Sequence, residues 1–220
     1  GLCALSRSLY QAEGDALMTL RGVAWDIDGT LVDSEPLHHR VLLEVCLSHG
    51  LDLRRDPVDR FLGVHMRDVW TALAPDLPKG LSEEAWIDEI QQNYVRRAGE
   101  VAHLPDAVAV IRALAEAGIP QVAVSNSGRR VVDANLDALG VSDLLVTSYS
   151  LDDVSQGKPD PEPYLKGALA LGLPPVQVLA VEDSDTGAAS ALAAGLAVAF
   201  VGEPPIGVRR ILRLSDVPPM

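Results

Sequence analysis

A chain of 220 residues, 48% hydrophobic and 22% charged, has the composition of a folded globular protein, which excludes disorder over most of its length. Its 31 acidic against 18 basic side chains give a formal net charge of −13, a field that opposes general binding to nucleic acid or to an anionic membrane. An anionic small molecule meets the same repulsion unless a local feature reverses its sign.

Cys3 and Cys46 cannot build a disulfide framework and match no metal-ligand spacing, so a reducing, cytoplasmic compartment is expected. No apolar run approaches the roughly 18 residues of a membrane helix. The stretch from Gly1 to Leu17 lacks the basic start and continuous apolar run of a signal peptide, and Met18 lies shortly before the first strand pattern. Residues 1–17 therefore read as a tag, a processed extension or an over-long start.

In chain order, Val23-Ala24-Trp25 is a short apolar run ending in acid and predicts the first strand. From Glu35 to Leu104 no strand pattern appears. Helices are predicted there over Leu37–His49, Asp56–Leu62, Met66–Leu73 and Glu83–Ala98, separated by Gly50, Gly63 and the stretch from Pro75 to Gly80. An all-helical insertion of this size is too large for a simple crossover, so 35–104 is expected to form a small cap domain, with 18–34 and 105–220 as the core. Trp70, Trp86 and Tyr94 read as packing within or beneath that cap.

After it, Pro105–Ala117 places Val108, Ile111, Leu114 and Ala115 on one face and stops at Gly118. Strands follow at Gln121–Val124, Leu144–Thr147, Val178–Val181 and Ala197–Val201, each too short and apolar for a half-exposed edge. Helices at Arg130–Leu139, Pro161–Leu171 and Thr186–Ala194 alternate with them, closing at Gly140, Gly172 and Gly195. The alternation predicts an α/β fold: a Rossmann-like parallel sheet sandwiched by helices, joined by right-handed crossovers, with the all-helical cap inserted after the first strand.

The polar residues gather at predicted strand ends, where open α/β sheets bind ligands. The first strand runs into Asp26-Ile27-Asp28-Gly29-Thr30. Residues i and i+2 of an extended segment point the same way, so Asp26 and Asp28 are expected to face one site, where a cation would let both stay ionised. Gly29 allows the tight departure that brings the Asp28 carbonyl toward such a cation. Glu182 and Asp183 end a later strand. Three or four oxygen ligands with no histidine or cysteine nearby describe Mg²⁺ rather than zinc. Ser125-Asn126-Ser127 supplies hydroxyl, amide and turn N–H donors ahead of a helix, which suits a phosphate. Lys158, between Gly157 and Pro159, is a fixed point charge for the same anion.

The segment from Asp26 to Pro36 resembles the first motif of the haloacid dehalogenase superfamily, and Ser125, Lys158 and Glu182-Asp183-Ser184 fall in order where its second, third and fourth motifs belong. The likeness spans about residues 20 to 203, and the helical block resembles the small cap of the phosphoglucomutase and phosphoglycolate phosphatase branch. The resemblance implies that Asp26 is a nucleophile forming an aspartyl phosphate, and that Asp28 is the general acid and then the base. It implies that Ser125 and Lys158 hold the transferring phosphoryl group, and that Asp26, the Asp28 carbonyl, Glu182 and Asp183 bind Mg²⁺. The substrate would be a small phosphorylated metabolite, and the protein a monomer. Substrate contacts are also considered at His38 and His39 at the root of the cap, at His65 and Arg67 after Gly63, and at Arg129 and Arg130 after the second motif.

Each of these residues has a plainer reading. Asp-Gly is a common turn, Glu182-Asp183 suits a helix N-terminus, Lys158 suits a surface, and exposed histidines are usually solvated. Four motifs in order favour a phosphatase. The alternatives are a hexose-phosphate mutase, a metal-free dehalogenase and an inert binding module. The mutase is disfavoured because Met66 holds the place of its cap arginine, with Arg67 one position off. Asp28 argues against the dehalogenase.

Overall fold

The chain was described from a computed structural model that defines residues 20–61, 63–203, 208–211 and 214–217. The reading of 1–17 lies outside them. Gly22–Trp25 forms β1 and is buried throughout. It lies at the centre of a sheet with β4 (Gln121–Val124) on one side and β6 (Val178–Glu182) on the other. Beyond these come β5 (Thr147–Tyr149), β7 (Ala197–Val201) and β8 (Arg209–Ile211), giving the order β5-β4-β1-β6-β7-β8 with every pairing parallel.

Alternation along the strands divides the core into two layers. Val23, Trp25, Ala123, Leu179 and Val181 pack with Ile111 of α4 (Ala107–Glu116) and with Val131, Val132 and Leu136 of α5 (Arg129–Leu139). Ala24, Val122, Val124 and Ala180 pack with Tyr164 and Ala168 of α6 (Glu162–Ala170) and with Ala188 and Ala191 of α7 (Asp185–Ala193). Strands covered on both faces need continuous apolar runs, which is why these three strands and β7, with Ala199 in the first layer and Val198 and Phe200 in the second, are legible in the sequence.

The helical block contains α1 (Glu35–Ser48), α2 (Met66–Leu73) and α3 (Glu83–Arg97). Ser82 caps α3, accepting from the Ala85 N–H at 3.2 Å, and Trp86, Ile90 and Tyr94 repeat at four-residue spacing along its buried face. These side chains share one apolar cluster with the α4 and α5 side of the sheet. The chain leaves through β2 (Val32–Asp33) and returns through β3 (Ala102–His103), which pair antiparallel. Two strands of two residues carry too little pattern to be read from sequence. No described helix is long and apolar enough to cross a membrane.

Three expectations are corrected. The segment read as a helix over Asp56–Leu62 is a series of turns through Phe61, with Leu62 outside the described residues. Val58 is 73% exposed and only Phe61 of the described part packs on the core, too little apolar face to stabilise a short helix. The strand placed at Leu144–Thr147 lies at Thr147–Tyr149, because Ser142–Leu144 forms a 3-10 turn that tucks Leu144, and Leu145 after it, against the core. That strand is also a partly exposed edge, contrary to expectation. The other edge is β8, whose Arg-Arg-Ile sequence gives no apolar strand signal.

Candidate active site

The carboxyl ends of β1, β4 and β6 converge. The Asp26 N–H donates to the Val181 carbonyl at 3.0 Å, which ties the first residue after β1 to the last turn of β6. The loop then folds on itself, with the N–H groups of Leu31 and Val32 both donating to the Ile27 carbonyl. Gly29 has φ +85°, and a Cβ there would lie 1.9 Å from Asp183 Oδ2. The position therefore demands glycine twice, for its backbone and for the carboxylate beside it.

Lys158 reaches this point from the loop after β5, and its side chain is 3% exposed. Its ammonium uses all three donors, to Asp26 Oδ1 at 2.7 Å, Glu182 Oε1 at 2.6 Å and the Val124 carbonyl at 2.9 Å. Burial works against its charge, but Asp26 and Glu182 outweigh burial and raise its pKa above the usual lysine value. Glu182 is completely buried and also accepts from the Tyr164 hydroxyl at 2.5 Å and from Ser184 at 3.2 Å. Burial and the neighbouring Glu182 push the Tyr164 hydroxyl well above its ordinary pKa, so it stays a donor. Gly187 of α7 lets the helix lie against Glu182, since a Cβ there would be 2.0 Å from Oε1.

Asp26, Glu182 and Asp183 each present a carboxylate oxygen, all within 4.8 Å of one another. Burial, followed by repulsion from Glu182, raises the pKa of Asp26 well above the carboxylate range despite Lys158. The same causes lift Asp183 to about 6. With all three carboxylates ionised, as a bound cation would require, one ammonium leaves two negative charges, and Asp26 Oδ2 is buried with no hydrogen-bond partner. An all-oxygen donor set with two uncompensated charges and an orphaned oxygen fits a hard divalent cation.

Asp28 belongs to a second, adjoining group. The strand β1 ends at Trp25, so Asp26 and Asp28 lie just beyond it, and their carboxylates take different hydrogen-bond partners. Asp28 Oδ1 accepts from Ser34 Oγ at 2.7 Å and Asn135 Nδ2 at 3.2 Å, with His38 Nε2 at 3.9 Å. Oδ2 accepts from Ser125 Oγ at 3.1 Å and Ser127 Oγ at 2.8 Å. Burial alone would raise its pKa, but His38, Ser34 and Ser127 overcome that and lower it to about 2.

The remaining sequence candidates divide. Asn126 does not present its amide to the open site: Nδ2 donates to the Lys158 carbonyl at 3.0 Å and Oδ1 accepts from the Lys158 N–H at 2.8 Å, fixing the lysine loop. Arg129 turns away to Asp133, Asp153 and Ser148, and Arg130 pairs with Asp88. His65 caps α2, accepting from the Arg67 N–H at 3.3 Å, while Arg67 is largely exposed beside Glu83. His38 alone of the helical-block candidates meets the acidic groups, stacked on Tyr94 with ring centroids 4.2 Å apart. The sequence reading missed Tyr164 and Asn135. A polar residue on the apolar stripe of α5 was the available signal for Asn135.

Acids fixed at the carboxyl edge of a parallel sheet, cross-linked by one buried lysine and beside a separately held carboxylate, mark a candidate catalytic site in an α/β fold. Residues 20–195 match the haloacid dehalogenase-like hydrolases, and the chain belongs to that family. Hexitol phosphatase A of Escherichia coli is 33% identical over 192 residues, covering 85% of each chain. Among solved structures, CbbY from Rhodobacter sphaeroides in complex with phosphate superposes with a TM-score of 0.81 at 22% identity, covering 90% of this chain and 96% of that one, a likeness of fold. A putative beta-phosphoglucomutase from Thermotoga maritima matches with a TM-score of 0.70 at 26% identity, covering 85% and 88%.

Proposed function

We propose that the chain is a Mg²⁺-dependent phosphatase that hydrolyses the phosphate monoester of a small metabolite, a sugar or polyol phosphate, through an aspartyl phosphate on Asp26. The observation that carries this reading is Asp26 itself. One oxygen is anchored by Lys158, and the other is buried without a partner beside Glu182 and Asp183.

In the first half-reaction Asp26 attacks phosphorus and the bond to the leaving oxygen breaks, with Asp28 delivering the proton that oxygen needs. Asp28 is held near 2 and is ionised before substrate arrives, so the proton it delivers would enter with the substrate, carried on the phosphate monoanion and passed to Asp28 in the closed site. In the second half-reaction Asp28, now ionised, takes a proton from water, the water attacks phosphorus, and phosphate leaves Asp26 free. Lys158 holds Asp26 in line throughout, and Ser125 donates to the phosphoryl oxygens. Mg²⁺ held by Asp26, Glu182, Asp183 and the Asp28 carbonyl would neutralise the two excess charges and allow an anion to approach.

Residues 35–104 would act as a cap that closes over substrate, excludes water and selects the leaving group. An enclosed site suits a metabolite better than a phosphoprotein, and the name of hexitol phosphatase A points the same way. A cytoplasmic monomer is the setting this reading implies. Arg67, exposed beside Glu83, lends nothing to the mutase alternative.

The test is a screen of phosphorylated metabolites with purified protein and Mg²⁺, including β-glucose 1-phosphate with a readout for glucose 6-phosphate. Phosphate release from sugar or polyol monophosphates is expected. Conversion to glucose 6-phosphate without release would establish the mutase, and no turnover of any ester would overturn the reading.

A further inference from the structure

Asn135 is anomalous for its position. It lies on α5 among the buried residues Val131, Val132, Leu136 and Leu139, and it is itself completely buried. An amide on an apolar helix face costs free energy unless both of its ends are bonded, and an aliphatic residue there would pack without that demand. Both ends are bonded, to groups far apart in sequence. Nδ2 donates to Asp28 Oδ1 at 3.2 Å, and Oδ1 accepts from the Tyr94 hydroxyl at 2.8 Å. Because the acceptor end takes the Tyr94 proton, the donor end is the one that faces Asp28.

Tyr94 is completely buried on α3 of the helical block, and its ring stacks on His38 of α1 at an interplanar angle of 22°. His38 Nε2 lies 3.9 Å from Asp28 Oδ1, the same oxygen that Asn135 contacts. The connections close a ring: Asp28 to Asn135, Asn135 to Tyr94, Tyr94 to His38, and His38 back to Asp28. Two of these four side chains come from the block proposed as the cap, one from the core helix α5 and one from the loop after β1.

We propose that Asn135 and Tyr94 are positioning residues for the proton transfer carried out by Asp28, orienting its carboxylate from the core and linking that orientation to helix α3 of the helical block. The inference rests on the reading of Asp28 as general acid and goes beyond it by naming what holds that acid in place. Both residues are completely buried, and their side-chain bonds run to each other and to Asp28. Asn135 acts on Asp28 directly, and Tyr94 acts by fixing which way the Asn135 amide faces.

A positioning role differs from a structural one in its dependence on the leaving group. An alkoxide must be protonated as it departs, whereas a nitrophenolate leaves without help, so a misplaced acid slows alkyl esters far more than aryl esters. The parameter to compare is kcat/KM, which reports the steps through departure of the leaving group. The experiment measures kcat/KM for p-nitrophenyl phosphate and for an alkyl monophosphate, with Mg²⁺, in wild type, Asn135→Leu, Tyr94→Phe and Asp28→Asn. Asn135→Leu keeps the volume and removes both bonds; Tyr94→Phe removes only the hydroxyl and is a milder change where the leucine variant folds poorly.

The aryl-to-alkyl ratio of kcat/KM should rise about 10- to 100-fold in Asn135→Leu, part of the 10²- to 10⁴-fold that general acid catalysis supplies, and by a smaller factor in Tyr94→Phe. Asp28→Asn should show the largest rise. A ratio unchanged in both Asn135→Leu and Tyr94→Phe, with a large rise in Asp28→Asn, overturns the positioning role and leaves the acid assignment standing. A ratio unchanged in Asp28→Asn as well overturns the acid assignment, and the inference with it.

Discussion

Replacing Lys158 with methionine isolates the electrostatics of the site, because the stem is kept and only the ammonium is lost. Three hydrogen bonds disappear, at 2.7, 2.6 and 2.9 Å, and Asp26, Glu182 and Asp183 are left without a facing cation. Breaking a buried ion pair by removing one partner costs about 3–5 kcal/mol. In a domain of this size each kcal/mol moves the melting temperature by roughly 2–4 °C, so a fall of about 6–20 °C is expected in the presence of chelator. Protonation limits the loss: Asp26 can take up a proton at about 1.4 kcal/mol per pH unit above its pKa, so the variant should be penalised less at pH 5.5 than at pH 7.5. Mg²⁺ should restore part of the stability by replacing part of the charge, while ester hydrolysis stays about 10²- to 10³-fold down. Urea and thermal unfolding with EDTA and with Mg²⁺ provide the measurements. A loss below about 1 kcal/mol in EDTA would show that these carboxylates are not held in a buried, charged state, and the account of the site would fail.

The metal-free acids also set a pH dependence. Asp183, lifted from 3.8 to about 6, binds more protons folded than unfolded between those values. Without metal its contribution to stability therefore falls as pH rises through that window, and Mg²⁺ should remove the penalty. Mg²⁺ binding should accordingly release protons at pH 5.5, with affinity that rises with pH through about 6 as Asp183 gives up its proton. Calorimetric titration in buffers of different ionisation enthalpy measures this directly, and proton-neutral binding at pH 5.5 would contradict it. Gly29→Ala should weaken Mg²⁺ binding at least about tenfold, since its Cβ would lie 1.9 Å from Asp183 Oδ2 and the φ of +85° adds strain of about 1 kcal/mol. Unchanged affinity would dissociate Asp183 from the metal.

What was legible in the sequence follows from packing. Strands β1, β4, β6 and β7 are covered on both faces and announce themselves as apolar runs, whereas β5 and β8 are edges whose positions are set by pairing with a neighbour. At the site, Asp26, Lys158, Glu182 and Asp183 were legible because strand ends in a parallel sheet share one edge. The partners of Asn126 and Arg129 were not. Asn126 is taken by a loop 32 residues away, and Arg129, besides the i,i+4 pair with Asp133 on its own helix, by Ser148 of β5 and Asp153 just beyond it. No local spacing encodes which of several polar groups a folded loop will face. Asn135 was hidden for a related reason, since its two partners lie 107 and 41 residues away in the chain.

The central claim is that phosphate passes through Asp26. Rapid acid quenching of the protein with a ³²P-labelled sugar monophosphate and Mg²⁺ tests it most directly. The account predicts label bound to the protein, released by hydroxylamine as an acyl phosphate is, and absent from Asp26→Asn. Labelling that persists in Asp26→Asn, or hydrolysis that the variant retains at the wild-type rate, would contradict it.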